Sequence, residues 1–185
     1  MSSNANVDRQ RGLSLLEALI TIVVLAFGIL GLAGLQAKMQ SAEVESYARS
    51  QALLLLDDMA ARLNANRVNA AAYVTATPAG TGDTQPTDCS VTALGVDRDL
   101  CTWSNALKGN SELAAGVGVG AMIGGRGCVE QLAGGSPPSY RIAVVWQGLT
   151  PTVAPSIDCA QGLYGGNDAF RRVIAKVVTI GNGGP

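Results

Sequence analysis

The sequence predicts an α+β protein in which one long N-terminal helix precedes a small antiparallel sheet. Three observations support this fold class. Residues 13–35 form an almost unbroken apolar run, residues 36–64 contain neither glycine nor proline, and the last third of the chain holds short segments of alternating or β-branched apolar residues. Helix and sheet are expected to bury their apolar faces against each other, as the layers of such domains do.

The apolar run Leu13–Leu35 has the length of a membrane-spanning helix. It contains a single charge, Glu17, and about 20 apolar residues cross a ~30 Å hydrocarbon core. A secretory signal peptide has an apolar core of roughly 7–15 residues followed by a small-residue cleavage site, and no convincing site of that kind follows here. A plain anchor is the alternative, with Arg9 and Arg11 holding the N-terminus in the cytoplasm.

Glu17 favours a more specific interpretation than a plain anchor. A carboxylate near the start of a spanning helix costs about 1–3 kcal/mol to insert, so it needs a partner. Gly12 precedes Leu13, and the glutamate is the fifth residue when that leucine is counted as the first. The combination of basic leader, glycine, glutamate and apolar run resembles the class III leader of type IV prepilins.

This resemblance implies how the N-terminus is processed and used. Prepilin peptidase would cleave between Gly12 and Leu13 and methylate the new amine of Leu13, because such leaders accept only a very small side chain beside the scissile bond. In a filament the Glu17 carboxylate would pair with the Leu13 ammonium of a neighbouring subunit. Pairing offsets much of the desolvation of both charges. Leu13 stands where phenylalanine or methionine is usual.

The helix is predicted to continue from Gln36 to about Asn64. At 1.5 Å per residue, Leu13–Asn64 would span roughly 78 Å. An apolar stripe at helical spacing predicts the face that packs on a globular head: Ala48, Ala52, Leu55, Met59 and Leu63, widened by Leu53, Leu56 and Ala60. Two i, i+4 charge pairs are expected on the solvated side: Glu45–Arg49 and Asp58–Arg62.

The remaining residues predict one short helix and a sheet of three to five antiparallel strands. The helix covers Asp97–Leu107 and carries Trp103 as a core anchor. Residues 74–92 are predicted to be a loop, and the C-terminal GNGGP a disordered tail or end cap. The predicted sheet segments are a glycine-rich hairpin in Gly109–Gly127 that begins the sheet, Cys128–Leu132, Tyr140–Gln147 (with Tyr140, Ile142, Val144 and Trp146 on one face) and Phe170–Ile180. With the long helix, this plan resembles the type IV pilin fold.

Four cysteines lie in the C-terminal half: Cys89, Cys101, Cys128 and Cys159. An even count without a CxxC pair predicts two disulfides in an oxidising compartment, with free buried thiols as the alternative. The spacings do not resemble a zinc site. Three connectivities are possible. The one favoured here joins Cys89 to Cys101 around the short helix, and Cys128 to Cys159 between a strand and the loop before the last strand.

Composition argues against several functions. The net charge of -1 and a pI near 5.3 provide no basic excess for binding nucleic acid. The absence of histidine removes the commonest general base and zinc ligand. No nucleophile motif or phosphate-binding loop supports an enzyme. We therefore expect no catalytic activity, no cofactor and no bound metal.

Two sequence blocks resemble the PilV branch of minor pilins, the type IV pilus modification proteins. They are Gly28–Gln36 at the end of the apolar run and Leu54–Asn66 at the end of the helix. The resemblance implies four segments: leader 1–12, transmembrane or filament-core helix 13–35, amphipathic helix 36–66, and periplasmic head 67–185 with its disulfides.

The expected partners and location follow from the same resemblance. The partners are prepilin peptidase, other minor pilins, the major pilin and the inner membrane. The protein would lie in the inner membrane, with its N-terminus cytoplasmic and its head periplasmic, before it enters the pilus and takes part in initiation at the tip. Two alternatives remain open: a type II secretion pseudopilin, which shares leader, Glu17 and helix, and an adhesive tip subunit that binds through the loops 109–127 and 148–168.

Overall fold

A computed structural model describes residues 15–109, 113–114, 117–118 and 122–181. The predictions for Gly12, Leu13 and residues 182–185 lie outside the described residues. The chain divides into two compact units, with the boundary between Ala42 and Glu43.

Helix α1 runs from Leu15 to Ala65 over 51 residues and is the long helix that the sequence predicts. It is continuous through Gly28, Gly31 and Gly34. The glycines do not break it because no proline accompanies them and each lowers helix stability by only about 1 kcal/mol relative to alanine. In the first unit, every described residue belongs to this helix and is exposed.

In its described residues, the second unit contains the end of α1, helix α2 and six strands. Helix α2 spans Val96–Leu107, as predicted to within one residue, and its first turn carries Asp97 and Asp99, where the helix dipole favours negative charge. The strands are β1 (Ala79–Gly80), β2 (Leu113–Ala114), β3 (Val117–Gly118), β4 (Arg126–Leu132), β5 (Ser139–Gln147) and β6 (Arg171–Thr179). The described part of this unit also has three short 3-10 helices: Arg67–Tyr73, Cys89–Val91 and Asp168–Phe170.

The main sheet has four antiparallel strands in the order β1-β4-β5-β6. Its three longer strands confirm the strands predicted from the sequence. β1 was not predicted, because it is only two residues long and lies inside the segment read as a loop. Among the described residues, β2 and β3 pair with each other and not with the main sheet. The prediction that this hairpin begins the main sheet is therefore wrong: Ala79 and Gly80 occupy the edge of β4 beside Gly127 and Arg126 instead.

One face of the sheet packs on the second half of α1 and on α2. The α1 residues buried there are Ala48, Ala52, Leu56, Met59, Ala60 and Leu63. They pack in one core with the β5 residues Tyr140, Ile142, Val144 and Trp146, so both predicted apolar faces are confirmed. Leu55 is half-buried against this core.

Two predictions for α1 are wrong. Leu53 is 46% exposed. It lies one turn before Asp57, whose carboxylate meets Lys176 of β6, so this flank faces the edge of the sheet. The predicted Glu45–Arg49 pair is absent from the ion pairs of the described residues, whereas Asp58–Arg62 is present at 2.9 Å. Glu45 contacts Arg172 of β6 at 2.5 Å, because tertiary packing brings that strand alongside the helix.

The opposite face of the sheet carries a smaller core. Val145 and Val173 pack there with Ala160 and Tyr164 from the long loop between β5 and β6. Arg171 is only 1% exposed and stabilises this loop from its buried side. Its guanidinium donates to the carbonyl oxygens of Pro155, Ile157 and Cys159, and it contacts the Asp168 carboxylate at 3.2 Å.

Candidate functional site

The first half of α1 is an exposed apolar surface. Among the described residues it is the one helix long and apolar enough to cross a membrane, and none of its most apolar stretch is buried. Leu15 is 90% and Phe27 72% exposed. Apolar surface removed from water contributes about 25 cal/mol per Å², so a surface of this extent requires lipid or protein around it.

Glu17 lies in the first turn of α1 and is exposed. The positive end of the helix dipole favours a carboxylate at this position. The next charged residue along α1 is Lys38. Glu17 is therefore the single charge of the apolar stretch that precedes Lys38. The structure does not describe Gly12 or Leu13, and the cleavage, methylation and charge pairing expected there remain predictions.

Three glycines leave part of this apolar surface without side chains. A Cβ added at Gly28, Gly31 or Gly34 would meet no neighbouring atom within 4 Å. No contact with the described residues therefore requires a glycine at these positions. Missing side chains allow the backbone of another helix to approach closely, which is how small residues act in membrane helices.

The disulfides connect the helical and loop parts of the head. Cys89 pairs with Cys101 and Cys128 with Cys159, which are the pairs favoured from the sequence. The first joins the short 3-10 helix to α2, and the second ties β4 to the long loop. Asn105 reinforces the first bridge because its amide donates to the carbonyl oxygens of Pro86 and Thr87.

Asp83 organises the loop that forms β1. Its carboxylate contacts the Lys108 ammonium at 2.5 Å and accepts hydrogen bonds from the amide of Gly80 and the hydroxyl of Ser104. Burial alone would raise the pKa of Asp83, but these hydrogen bonds, with one from the amide of Gln85, outweigh it and hold the pKa below its ordinary value. The role of the Asp83 carboxylate is therefore to stabilise this loop.

A second polar cluster joins α1 to α2. The Tyr73 hydroxyl donates to Asp99 at 2.5 Å, and Arg62 donates to the same carboxylate at 2.9 Å. Burial, followed by the hydrogen bond to Asp99, raises the pKa of Tyr73. Sequence reasoning placed Arg62 in a local pair with Asp58 but missed its long-range partner, for which no signal exists in sequence spacing.

The described residues do not provide a metal centre: no group of three or more His, Cys, Asp or Glu side chains comes together. Asp83 and Tyr73, whose pKa values are shifted, instead serve the loop and the helix contact described above. The chemistry that the structure displays is therefore that of an exposed apolar helix joined to a stabilised head.

Comparison with known proteins identifies the N-terminal feature. Residues 8–33 match the family described as the prokaryotic N-terminal methylation motif. The motif is the type IV pilin and prepilin signal, and its match supports a type IV pilin-like protein. No curated protein and no solved structure shows significant similarity to the chain.

The matched segment contains Gly12, Leu13 and Glu17, the residues singled out from the sequence. The motif implies processing by prepilin peptidase and assembly with other pilins. Together with the apolar helix it indicates membrane anchoring before assembly into a surface pilus. The family that carries the motif is structural and not enzymatic.

Proposed function

We propose that the protein is a minor type IV pilin of the PilV type that takes part in initiating pilus assembly, at the tip of the filament. The observation that carries this proposal is the exposed apolar first part of α1, where Glu17 is the single charge before Lys38, in a chain that also has a compact α+β head. A helix of this kind can leave lipid only if other helices replace the lipid around it.

The sequence resemblance to PilV proteins supports a minor rather than a bulk role. That resemblance rests on residues 28–36 and 54–66. The second block contributes Leu56, Met59 and Leu63 to the core that joins α1 to the sheet. Orientation follows from the leader, since the arginines Arg9 and Arg11 favour a cytoplasmic N-terminus and leave the cystine-containing head in the oxidising periplasm.

Leader processing is tested by co-expression with a prepilin peptidase. The mature chain should begin at a methylated Leu13, and Gly12→Val should block cleavage, because a branched side chain does not fit beside the scissile bond. A mature N-terminus beyond Leu35 would instead identify a conventional signal peptide and contradict the proposal.

The assembly role is tested by purifying the native membrane complex and identifying its subunits. Other minor pilins should co-purify, and a strain lacking the protein should carry fewer surface pili. Co-purification with pseudopilins, together with lost exoprotein secretion and normal piliation, would identify the type II secretion alternative. An unchanged pilus number with lost surface attachment would favour an adhesive tip subunit.

A further inference from the structure

Strand β6 is the last strand of the main sheet, and among the described residues no strand lies beside its outer edge. Backbone hydrogen bonds at the two ends of β6 show which of its residues direct their N–H and C=O groups away from β5. The Gly148 amide donates to the Phe170 carbonyl at 2.7 Å, and the Ile180 amide donates to the Pro138 carbonyl at 2.9 Å. Even-numbered residues of this strand therefore bond toward β5, and odd-numbered ones face away.

The outward-facing residues are Val173, Ala175, Val177 and Thr179. Within the part of the chain that the structure describes, no backbone hydrogen bond reaches their outer N–H and C=O groups. Side chains leave this edge accessible as well, since Val177 is 54% exposed and Ala175 and Thr179 are exposed.

This edge lacks most of the devices that prevent strand pairing. The strand contains no proline, and its nine residues pair with β5 without a bulge. Lys176 is the one charged residue in the second half of β6. Its ammonium forms an ion pair with the Asp57 carboxylate of α1 at 2.9 Å. A long and regular edge of this kind is a template for another strand.

The flank of α1 beside this edge is apolar. Leu53 lies one turn before Asp57, the residue that meets Lys176, and residues four apart lie on the same side of a helix. Leu53 is 46% and Leu54 63% exposed. A strand added next to β6 would run along this flank and cover Leu53.

We propose that the open edge of β6 accepts an extended segment of another pilus subunit as a fifth strand of the sheet. An extended backbone is the chemistry that matches alternating donors and acceptors along such an edge. The three basic residues of β6 are already paired inside the chain, Arg171 with Asp168, Arg172 with Glu45 and Lys176 with Asp57. The edge therefore presents no uncompensated charge, and the favoured segment is β-branched and neutral. The inference rests on the proposed function, because it concerns a contact within that assembly.

A second copy of this chain fits the edge less well than a different subunit. Glu45 meets Arg172 and Asp57 meets Lys176, so β6 and α1 run in the same direction. Antiparallel pairing of β6 with its counterpart in a second copy would reverse the second α1. Helices anchored in one membrane from the same side cannot run in opposite directions.

The test places a photo-cross-linking amino acid at Ala175 of the full-length chain in its own cells. Irradiation should join this position to an extended segment of another pilus subunit. Val177→Pro should lower the cross-link yield about tenfold, because it removes an outward N–H that a partner strand needs while leaving the bonds to β5 intact. Val177→Thr keeps both the N–H and the β-branch and should cross-link normally.

A second variant, Leu53→Asp, leaves the strand backbone untouched and should also lower the yield, because it places a charge on the covered flank. Thermal unfolding of the purified variants should match that of the unmodified protein. Folded Val177→Pro and Leu53→Asp variants with full cross-link yield would overturn the inference, and so would cross-links to a second copy alone.

Mature N-termini and sheared pili are analysed from the same cells. Their outcome separates the two proposals. A chain that is not cleaved and is absent from pili contradicts the proposed function itself, whereas a chain that is cleaved and incorporated, with cross-links unaffected by both variants, contradicts the strand addition alone.

Discussion

Trp103 donates its indole N–H to the carbonyl oxygen of Leu55 across 2.9 Å, and so joins α2 to α1 although 48 residues separate the two. The ring is fully buried, and it lies against the backbone of Gly127 in β4. One side chain therefore connects both helices to the sheet. The hydrogen bond explains why an indole can be buried here without an unpaired donor.

Gly127 should tolerate no side chain because of this tryptophan. A Cβ at Gly127 would lie 2.2 Å from the Trp103 ring, and the ring cannot retreat without losing its bond to Leu55. We expect Gly127→Ala to lower the free energy of unfolding by about 1–3 kcal/mol, as overpacked cores do. Urea unfolding of the purified full-length chain in detergent measures this.

Gly181→Ala is the matched control, since a Cβ there would meet nothing within 4 Å and the residue has no positive φ. It should change the unfolding free energy by less than about 0.5 kcal/mol. Equal stability of both variants would show that the contact between Gly127 and Trp103 is not tightly packed.

Asp83 should contribute more to stability than an exposed acid in an ion pair. Asp83→Asn removes the negative charge beside Lys108 and replaces one of the two acceptor oxygens by an NH2 donor, so the bonds to Lys108, Gly80 and Ser104 cannot all be kept. We expect a loss of about 2–3 kcal/mol in unfolding free energy. Asp57→Asn, whose side chain is 64% exposed, should cost less than about 1 kcal/mol. Chemical denaturation of both variants at neutral pH decides this, and equal effects would contradict the assigned role.

The same carboxylate predicts an acid-sensitive component of stability. The native pKa of Asp83 lies below its ordinary value of 3.8. Its stabilisation is therefore complete above that value and is lost as the pH falls through the lowered native pKa. The difference in unfolding free energy between the unmodified protein and Asp83→Asn should shrink when urea unfolding is repeated near pH 3. A gap of the same size at both pH values would contradict this.

The sequence predicted the elements whose signals are local. Leu13–Leu35 is an apolar run of membrane-spanning length, and the stripe through Met59 and Leu63 has helical periodicity. The residues of β5 and β6 alternate or are β-branched, so packing only reinforced what propensity favoured. Failures occurred where long-range contacts decide. The short strand at Ala79–Gly80 exists because β4 offers it an edge.

Charges show the same limit of local reasoning. Glu45 pairs with Arg172, which is 127 residues away, and not with the nearby Arg49. In the sequence, Arg171 is simply the first of two adjacent arginines. In the structure it is buried and donates to carbonyl oxygens of the loop between β5 and β6. No spacing rule distinguishes Arg171 from Arg172, because the difference depends on which face of β6 each side chain occupies.

The two disulfides should hold the long loop and the start of α2 in place. Intact mass of the full-length chain from cell envelopes should be lower without reductant by four hydrogen atoms, two for each of the two bridges. Replacing Cys128 and Cys159 by serine should lower the unfolding free energy by about 2–4 kcal/mol, because the unfolded chain gains entropy. Four thiols alkylated without reductant or denaturant would contradict both bridges.

Glu17 should act in assembly and not in folding of the head. It lies in the first turn of α1, far along the chain from the first buried position of the helix, Ala48. We therefore expect Glu17→Gln to leave the thermal midpoint of the head unchanged. Membrane insertion should become slightly more favourable, because a carboxylate in lipid has been removed.

The effect should be visible in the filament. The new N-terminus of a neighbouring subunit would lose its counter-ion in an apolar core, at a cost of about 3–5 kcal/mol, since breaking one half of a buried pair strands the other charge. Cleavage of the leader should survive, because Gly12 is unchanged. Immunodetection in sheared pili of a complemented deletion strain measures incorporation, with Lys38→Gln, the next charged position of the helix, as the control. A Glu17→Gln chain that is stable, cleaved and incorporated as fully as Lys38→Gln would refute the charge-pairing mechanism.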